Sequence, residues 1–277
     1  MRADMHLHTY YSDGNVSPER VFEKAAEKGI DFICITDHDC ICPTDRLSAA
    51  KGQLPPIYVP SIEVSAYWDN IKIHILCYNP DLKNPDIKEF LEKLKVNSYR
   101  RAEIILSKLK SLGINLSMRE AEAERVISDT PIHAMHIARA GAKKGYAEDE
   151  FKFYCNFLMW GKPCFSTEGR PSPEDTCEVF SSGGAVVSLA HPGRISLDKN
   201  TLKKGIVRLQ SCGLKGIEGV YTTHTVTETA YFKEIAKELK LFVTGGSDTH
   251  FENDSRHEMG LPEFHPDKVL LQALKIC

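Results

Sequence analysis

The sequence predicts an α/β protein: a mostly parallel sheet or barrel carrying a helical insertion. Three observations lead there. Short runs rich in β-branched residues alternate with helix-type stretches at both ends of the chain. From about Pro85 to Gly161 the strand signal fades and helical patterning replaces it. Histidines and carboxylates recur where the strands end. Repeated βα order favours parallel strands.

Taken in order, "ADMHLH" reads as a first strand and "SPERVFEKAAEKG" as a helix. Ser17 is its N-cap, Pro18 opens its first turn and Gly29 ends it. "DFICITDH" is the second strand, a helix is expected near residues 44–52, and "IYVPSIEVS" and "IKIHILCY" are strands. The order resumes with "AVVSLAH", a helix near 199–212, "KGIEGVY", a helix near 225–240 and "LFVTGGSDTH". In the middle, "PDIKEFLEKLKVNSYRRAEIILSKLKSLG" is a long amphipathic helix with Phe90, Leu91, Leu94, Ile105 and Leu109 as apolar positions. Two or three shorter helices follow, including "IHAMHIARAGAKKG". The expected organisation is a barrel of residues 1–84 and 162–277, with the helical block 85–161 folded over its active face.

The composition suits one medium domain with an insertion: 277 residues, 42% hydrophobic and 26% charged. A net charge of −3 gives no hint of a nucleic-acid or membrane surface, so an anionic substrate needs local cations. No apolar stretch approaches the ~20 residues of a membrane span. The polar start reaches the first histidines at once, so no secretory leader is expected. The nine cysteines are odd in number and several sit in apolar runs, which reads as free thiols in a reducing cytoplasm. Cys40 and Cys42 alone are a weak zinc signal.

The chemistry is carried by a constellation. His6 and His8 are two apart on a strand and share a face, with Met5 and Leu7 on the other. Asp13 follows in a loop. Asp37 and His38 end the second strand; Glu63, His74 and His191 lie in or at the end of later ones; Asp248 and His250 follow the Gly-Gly of "TGGSDTH". Singly, each is better explained as a hydrogen-bonded core histidine or a turn carboxylate. Jointly, they converge on one face of a parallel barrel. Carboxylates buried there without partners are costly, and cations hold them together. Imidazole with carboxylate suits zinc, manganese or iron better than calcium.

The motifs "DMHLHTYYSDG", "ITDHD", "IEVSA", "IHIL", "LAHPGR" and "GGSDTH", in this order, resemble the PHP family, named for polymerase and histidinol phosphatase. The resemblance spans nearly the whole chain. It implies a distorted (β/α)7 barrel with a trinuclear centre of divalent Mn, Fe or Zn ions. It implies His6, His8, Glu63 and Asp248 on one metal, and Glu63 bridging to a second held by His74 and His191. Asp13, His38 and His250 would hold the third. The implied reaction is hydrolysis of a phosphate ester by a metal-bridging hydroxide, with Asp248 and His250 in the catalytic set and His224 a candidate acid for the leaving alcohol.

Phosphate recognition needs cations. Arg194, directly after "AHPG", resembles a phosphate-binding arginine of the family. Arg101 and Arg139 on the insertion, and Lys162 and Arg170 at the return to the barrel, are further candidates. His136 resembles a substrate-contacting position of the nucleotide-acting branch. That branch carries arginine two residues earlier, where this chain has Ala134, so weak discrimination for a second phosphate is expected. The implied partner is a small phosphorylated substrate, a nucleotide or short RNA among them, with no stable nucleic-acid partner. Cyclic sugar phosphates and histidinol phosphate are the alternatives within the family. A metal-stabilised accessory domain without catalysis is the alternative outside it. A C–N hydrolase would usually place a lysine between its metals, and no such strand lysine stands out.

Overall fold

A computed structural model describes residues 1–43, 56–69 and 71–276. The helix expected near 44–52 lies outside the described residues. Seven strands form one sheet in chain order: β1 (Ala3–Leu7), β2 (Phe32–Ile35), β3 (Ile57–Trp68), β4 (Ile71–Tyr78), β5 (Val186–Leu189), β6 (Gly216–Tyr221) and β7 (Phe242–Gly246). The chain after β7 meets β1. His8 N–H donates to Thr249 O at 2.9 Å and Asp248 N–H donates to His6 O at 2.8 Å. The sheet is thereby rolled into the distorted seven-stranded barrel that the motifs imply.

One strand departs from the parallel expectation. β4 runs antiparallel to both β3 and β5, while the other neighbouring pairs are parallel. The cause is the connection. Trp68 pairs with Ile71, so only Asp69 and Asn70 join β3 to β4. A parallel return needs a crossover of a dozen or more residues; a two-residue link makes a hairpin. His74 therefore does not sit at a strand end in the parallel sense. It lies within the reversed strand, opposite Ser65.

The helices are α1 (Pro18–Glu27), α2 (Pro85–Ser111), α3 (Met118–Glu122), α4 (Ala134–Lys143), α5 (Glu150–Phe153), α6 (Pro173–Ser182), α7 (Lys199–Ser211), α8 (Val226–Leu239) and α9 (Lys268–Ala273). A π-helical turn, Tyr154–Leu158, continues α5. In α1 the Ser17 hydroxyl accepts the Arg20 N–H, as its N-cap position requires. α6 and α9 were not foreseen, although Ser172 and Asp267 cap them by the same device.

Helix α2 belongs to two cores. Near its start, Ile87 and Leu94 pack into the barrel cluster with Ile62, Ile75, Phe180 and Val187. Further on, Ala102, Ile105, Leu106 and Leu109 pack with Ile132, Ile137, Phe153 and Leu158 in a separate helical cluster. No described helix is long and apolar enough to cross a membrane.

Candidate metal centre

Main-chain pairing brings the ligand-type residues together before any side chain is considered. The Asp248–His6 and His8–Thr249 hydrogen bonds set the chain end of β7 beside β1. A parallel bridge joins His38 to Glu63, and Asp39 N–H donates to Glu63 O at 3.0 Å. Ala190 N–H donates to His74 O at 3.0 Å, which places His191 near His74. His191 and Asp248 adopt positive φ, 26° and 58°. Non-glycine residues seldom do, and such backbone persists where the surroundings enforce it.

The side chains form three overlapping groups whose donor atoms all lie within 4.8 Å of one another: His6, His8, Glu63 and Asp248; His8, Asp13, His38 and His250; and His38, Glu63 and His74. No cysteine joins them among the described residues. Glu63 is the hub. Its Oε2 lies 3.3 Å from His6 Nε2, 3.2 Å from His8 Nε2 and 3.0 Å from His38 Nδ1. Its Oε1 lies 2.7 Å from His74 Nδ1 and 2.9 Å from His191 Nε2. His191 thus reaches the centre through Glu63 although it stands outside the three tight groups. Asp248 Oδ1 lies 3.1 Å from His8 Nε2 and 3.3 Å from His6 Nε2, and Asp13 Oδ1 lies 3.4 Å from His250 Nε2.

This donor set fits divalent transition metals. Buried polar atoms normally find hydrogen-bond partners. Here His6 Nε2, His8 Nε2, His38 Nδ1, His74 Nε2 and Glu63 Oε2 are buried with none. Four of them, His6 Nε2, His8 Nε2, His38 Nδ1 and Glu63 Oε2, lie within 3.3 Å of one another's carboxylate or imidazole without forming a hydrogen bond. The electrostatics agree. Burial disfavours the charged form of His8, yet the close carboxylates of Asp248 and Glu63 prevail and hold it up at about 10. Burial pushes neighbouring His38 down to about 3 against the pull of Glu63 and Asp13. In the bare site the neighbouring carboxylates favour protons on His6, His8 and His250. A divalent cation would offset those carboxylates while leaving every imidazole free to ligate.

A second layer holds the first, and the sequence reading missed it. Glu218 on β6 is fully buried; its Oε1 lies 2.9 Å from His6 Nδ1 and its Oε2 accepts the His191 N–H at 2.6 Å. Asp4 accepts the N–H groups of Ser247 and Gly260 at 3.0 and 2.7 Å. Asp37 accepts from Thr9 N–H at 2.7 Å and from the Thr9 and Ser12 hydroxyls at 2.6 Å. It therefore braces the loop of Asp13 and stands outside the ligand groups. The only sequence signal for Glu218 and Asp4 was a carboxylate inside an apolar strand.

The centre opens into a cavity of about 360 Å³ lined by Asp13, His38, Glu63, His74, His191, Asp248 and His250. Arg101, Arg170, Arg194 and Lys72 supply positive charge to the same cavity. Ile105, Met135, Phe151, Tyr154, Leu158 and Phe165 give it an apolar and aromatic wall, drawn mostly from the helical segment.

Of the proposed substrate residues, Arg194 approaches the side chain of a ligand residue. Its Nη1 lies 2.9 Å from Tyr221 Oη and 3.4 Å from Asp248 Oδ2, with the side chain 56% exposed. Arg101 and Arg170 line the cavity; Arg170 pairs with Asp39. Arg139 does not line it. Its Nη2 donates to Asp13 O at 2.8 Å, so it holds the loop that carries Asp13. Lys162 is exposed and outside the cavity lining. His136 is buried behind it, and its Nδ1 accepts the His133 N–H at 3.1 Å. From this part of the insertion it is His133, the N-cap of α4, that lines the cavity. His224 is likewise outside the lining; its Nε2 accepts the Gly193 N–H at 3.1 Å and supports the turn carrying Arg194.

The profile of the PHP domain matches residues 4–124. The 3',5'-nucleoside bisphosphate phosphatase of Chromobacterium violaceum is 27% identical over 267 residues, covering 95% of this chain and 92% of that protein. The phosphoribosyl 1,2-cyclic phosphate 1,2-diphosphodiesterase of Eggerthella lenta is 30% identical over 260 residues, covering 90% and 94%. A Chromobacterium violaceum structure described as an amidohydrolase superposes with a TM-score of 0.85 at 24% identity, covering 100% of this chain and 96% of that one; at that identity it speaks for the fold alone. With the domain profile over the first ligand motifs and a relative matched across nearly its whole length, the chain belongs to the PHP family.

Proposed function

We propose that the protein is a metal-dependent phosphoesterase acting on a small organic phosphate, with a nucleotide the best fit. The observation that carries this is the joining of two features in one cavity. One is a set of buried, hydrogen-bond-deficient imidazoles around Glu63; the other is a cationic rim beside an aromatic wall.

His6, His8, Glu63 and Asp248 would hold one divalent ion, His74 and His191 with Glu63 a second, and Asp13, His38 and His250 a third. Bound there, such ions neutralise phosphoryl oxygens and acidify water. The chain's own residues do the rest. Arg194 presents a planar fork that suits two phosphoryl oxygens. The Tyr221 hydroxyl donates to Asp248 Oδ2 at 2.7 Å and accepts from Arg194, so it fixes the arginine relative to the ligand. Glu218 fixes the ring of His6. The aromatic wall packs the organic part and excludes water. The segment 85–161 acts as the cover that brings this wall to the barrel. Cys34, Cys77, Cys164 and Cys177 are buried free thiols, in keeping with a reducing cytoplasm.

The test is phosphate release by purified, manganese-loaded protein. The panel holds nucleoside monophosphates, nucleoside 3',5'-bisphosphates, cyclic sugar phosphates and histidinol phosphate. Release from a nucleotide supports the reading; metal-loaded protein inert toward the whole panel overturns it. The E. lenta relative favours one second reading, opening of a cyclic sugar phosphate followed by removal of the phosphate. The panel separates the two.

A further inference from the structure

The most exposed donor group is the one that the insertion touches. In the group of His8, Asp13, His38 and His250, the side chains of Asp13, His38 and His250 are 19%, 12% and 21% exposed. In the group of His6, His8, Glu63 and Asp248 none exceeds 5%. Asp13 also differs in its support. It is carried by the loop between β1 and α1, with no strand ladder to hold it.

That loop is tied from two sides. Toward the barrel, Ser12 Oγ donates to Asp37 at 2.6 Å and the Asn15 N–H donates to His250 O at 3.0 Å. Toward the insertion, α4 supplies two side chains three residues apart, which share one helix face. Arg139 Nη2 donates to Asp13 O at 2.8 Å and reaches Gly14 O at 3.5 Å. His136 accepts the His133 N–H at Nδ1 and hydrogen-bonds the Ser12 main chain. The pair thus grips successive peptides of the loop. Among the described residues, the Arg139 bond is the only one on the Asp13 main chain.

We propose that Arg139 is a positioning residue for the outermost metal ion, and that the insertion is thereby built into the metal centre as well as covering it. The proposal rests on the trinuclear reading of the donor groups. Asp13 closes its group from one side: its carboxylate lies 3.4 Å from His250 Nε2, 3.8 Å from His38 Nε2 and 4.0 Å from His8 Nδ1. The guanidinium on Asp13 O fixes the peptide from which that carboxylate extends. Without it the loop keeps its barrel-side ties and the His136 contact, and Asp13 is free to swing. Loss of a residue that orients a ligand typically costs about 10–100-fold in metal affinity. Here the loss falls on the one ion that Asp13 holds, because Arg139 touches no other ligand residue.

The experiment titrates metal-free protein with manganese by calorimetry, counts bound ions by elemental analysis, and follows amide hydrogen exchange in the metal-free state. The variants are Arg139→Met, which keeps the stem and removes every N–H, Arg139→Lys, which returns one cationic donor, Asp13→Asn, and Asp13→Asn combined with Arg139→Met. In metal-free Arg139→Met the Ser12, Gly14 and Asn15 amides should exchange at least tenfold faster than in wild type, with β1 and β7 unchanged. Its weakest manganese site should weaken at least tenfold while the other two stay within twofold, and Arg139→Lys should recover part of the loss. Asp13→Asn should lose the same ion, and adding Arg139→Met to it should remove no further one. Three sites within twofold of wild type in Arg139→Met overturn the proposal and leave the trinuclear reading standing. Unchanged exchange in the loop overturns it too, as does loss of a second ion from the combined variant, which would make Arg139 a general support of the fold. If wild type takes up one ion or fewer while the loop still loosens in Arg139→Met, the trinuclear reading fails and the hold of Arg139 on Asp13 stands.

Discussion

Glu218 Oε1 lies 2.9 Å from His6 Nδ1 in the interior of the barrel, where both side chains are fully buried. The contact fixes the imidazole so that Nε2 faces Glu63 and Asp248. Carboxylates in this role raise the basicity of a metal-binding histidine and hold its tautomer, and their loss typically costs 10–100-fold in metal affinity. Glu218→Gln keeps the shape and removes the charge, so metal affinity should fall by about tenfold at the lower end of that range. Chelator competition on manganese-loaded protein measures it. Unchanged affinity would reduce Glu218 to a packing role.

The three overlapping donor groups are the basis for the proposed three ions. Elemental analysis of protein reconstituted with excess manganese should give close to that number per chain. Asp248→Asn removes charge from the group with His6, His8 and Glu63. It should lose about one ion and several orders of magnitude in turnover, while the melting temperature of the metal-free protein stays close to wild type. A wild type holding one ion or fewer would sink the trinuclear assignment.

Arg194 is exposed and bonded to Tyr221, so it should serve substrate rather than metal. A charge-assisted hydrogen bond contributes roughly 1.5–3 kcal/mol. Arg194→Ala should therefore lower kcat/KM by about tenfold to a hundredfold with full metal content. Tyr221→Phe leaves the arginine in place but frees it, and should cost less. Equal kinetics for wild type and Arg194→Ala would move the phosphate contact to Arg101, Arg170 or Lys72.

The gathering of these histidines and carboxylates was legible because spacing and strand periodicity carry it. His6 and His8 share a face by the alternation of any strand, and their rings are 5.2 Å apart. What stayed hidden has local physical reasons. The reversal of β4 was written in the two residues between Trp68 and Ile71, but the surrounding βα rhythm argued for a crossover instead. Glu218 sits in "KGIEGVY", where a buried carboxylate and a surface one look alike until the partner, 212 residues away, is known. His133 was not read from the sequence for another reason. His133 is the N-cap of α4, outside the helix, so helical periodicity says nothing about where it points.

The Gly-Gly of "TGGSDTH" allows a last test. A Cβ on Gly246 would lie 2.5 Å from both His6 N and His6 Cβ, and 3.0 Å from an Asp4 carboxylate oxygen. The first of these is backbone of the neighbouring strand and cannot swing aside. On Gly245 a Cβ would meet Val220 Cβ at 2.8 Å and the Phe264 ring at 2.9 Å, both on side chains. The two substitutions should therefore differ in kind. Overpacking a buried site costs about 1–3 kcal/mol in stability, so Gly245→Ala and Gly246→Ala should both lower the melting temperature. Only Gly246→Ala pushes directly on His6, and with it on the Asp248 N–H bond to His6 O that aligns the two ligands. It should lose metal affinity by at least tenfold beyond Gly245→Ala at a temperature where both remain folded. Chelator competition and thermal melting on the pair decide it: equal metal affinity would show that the β1–β7 contact tolerates displacement without disturbing the centre.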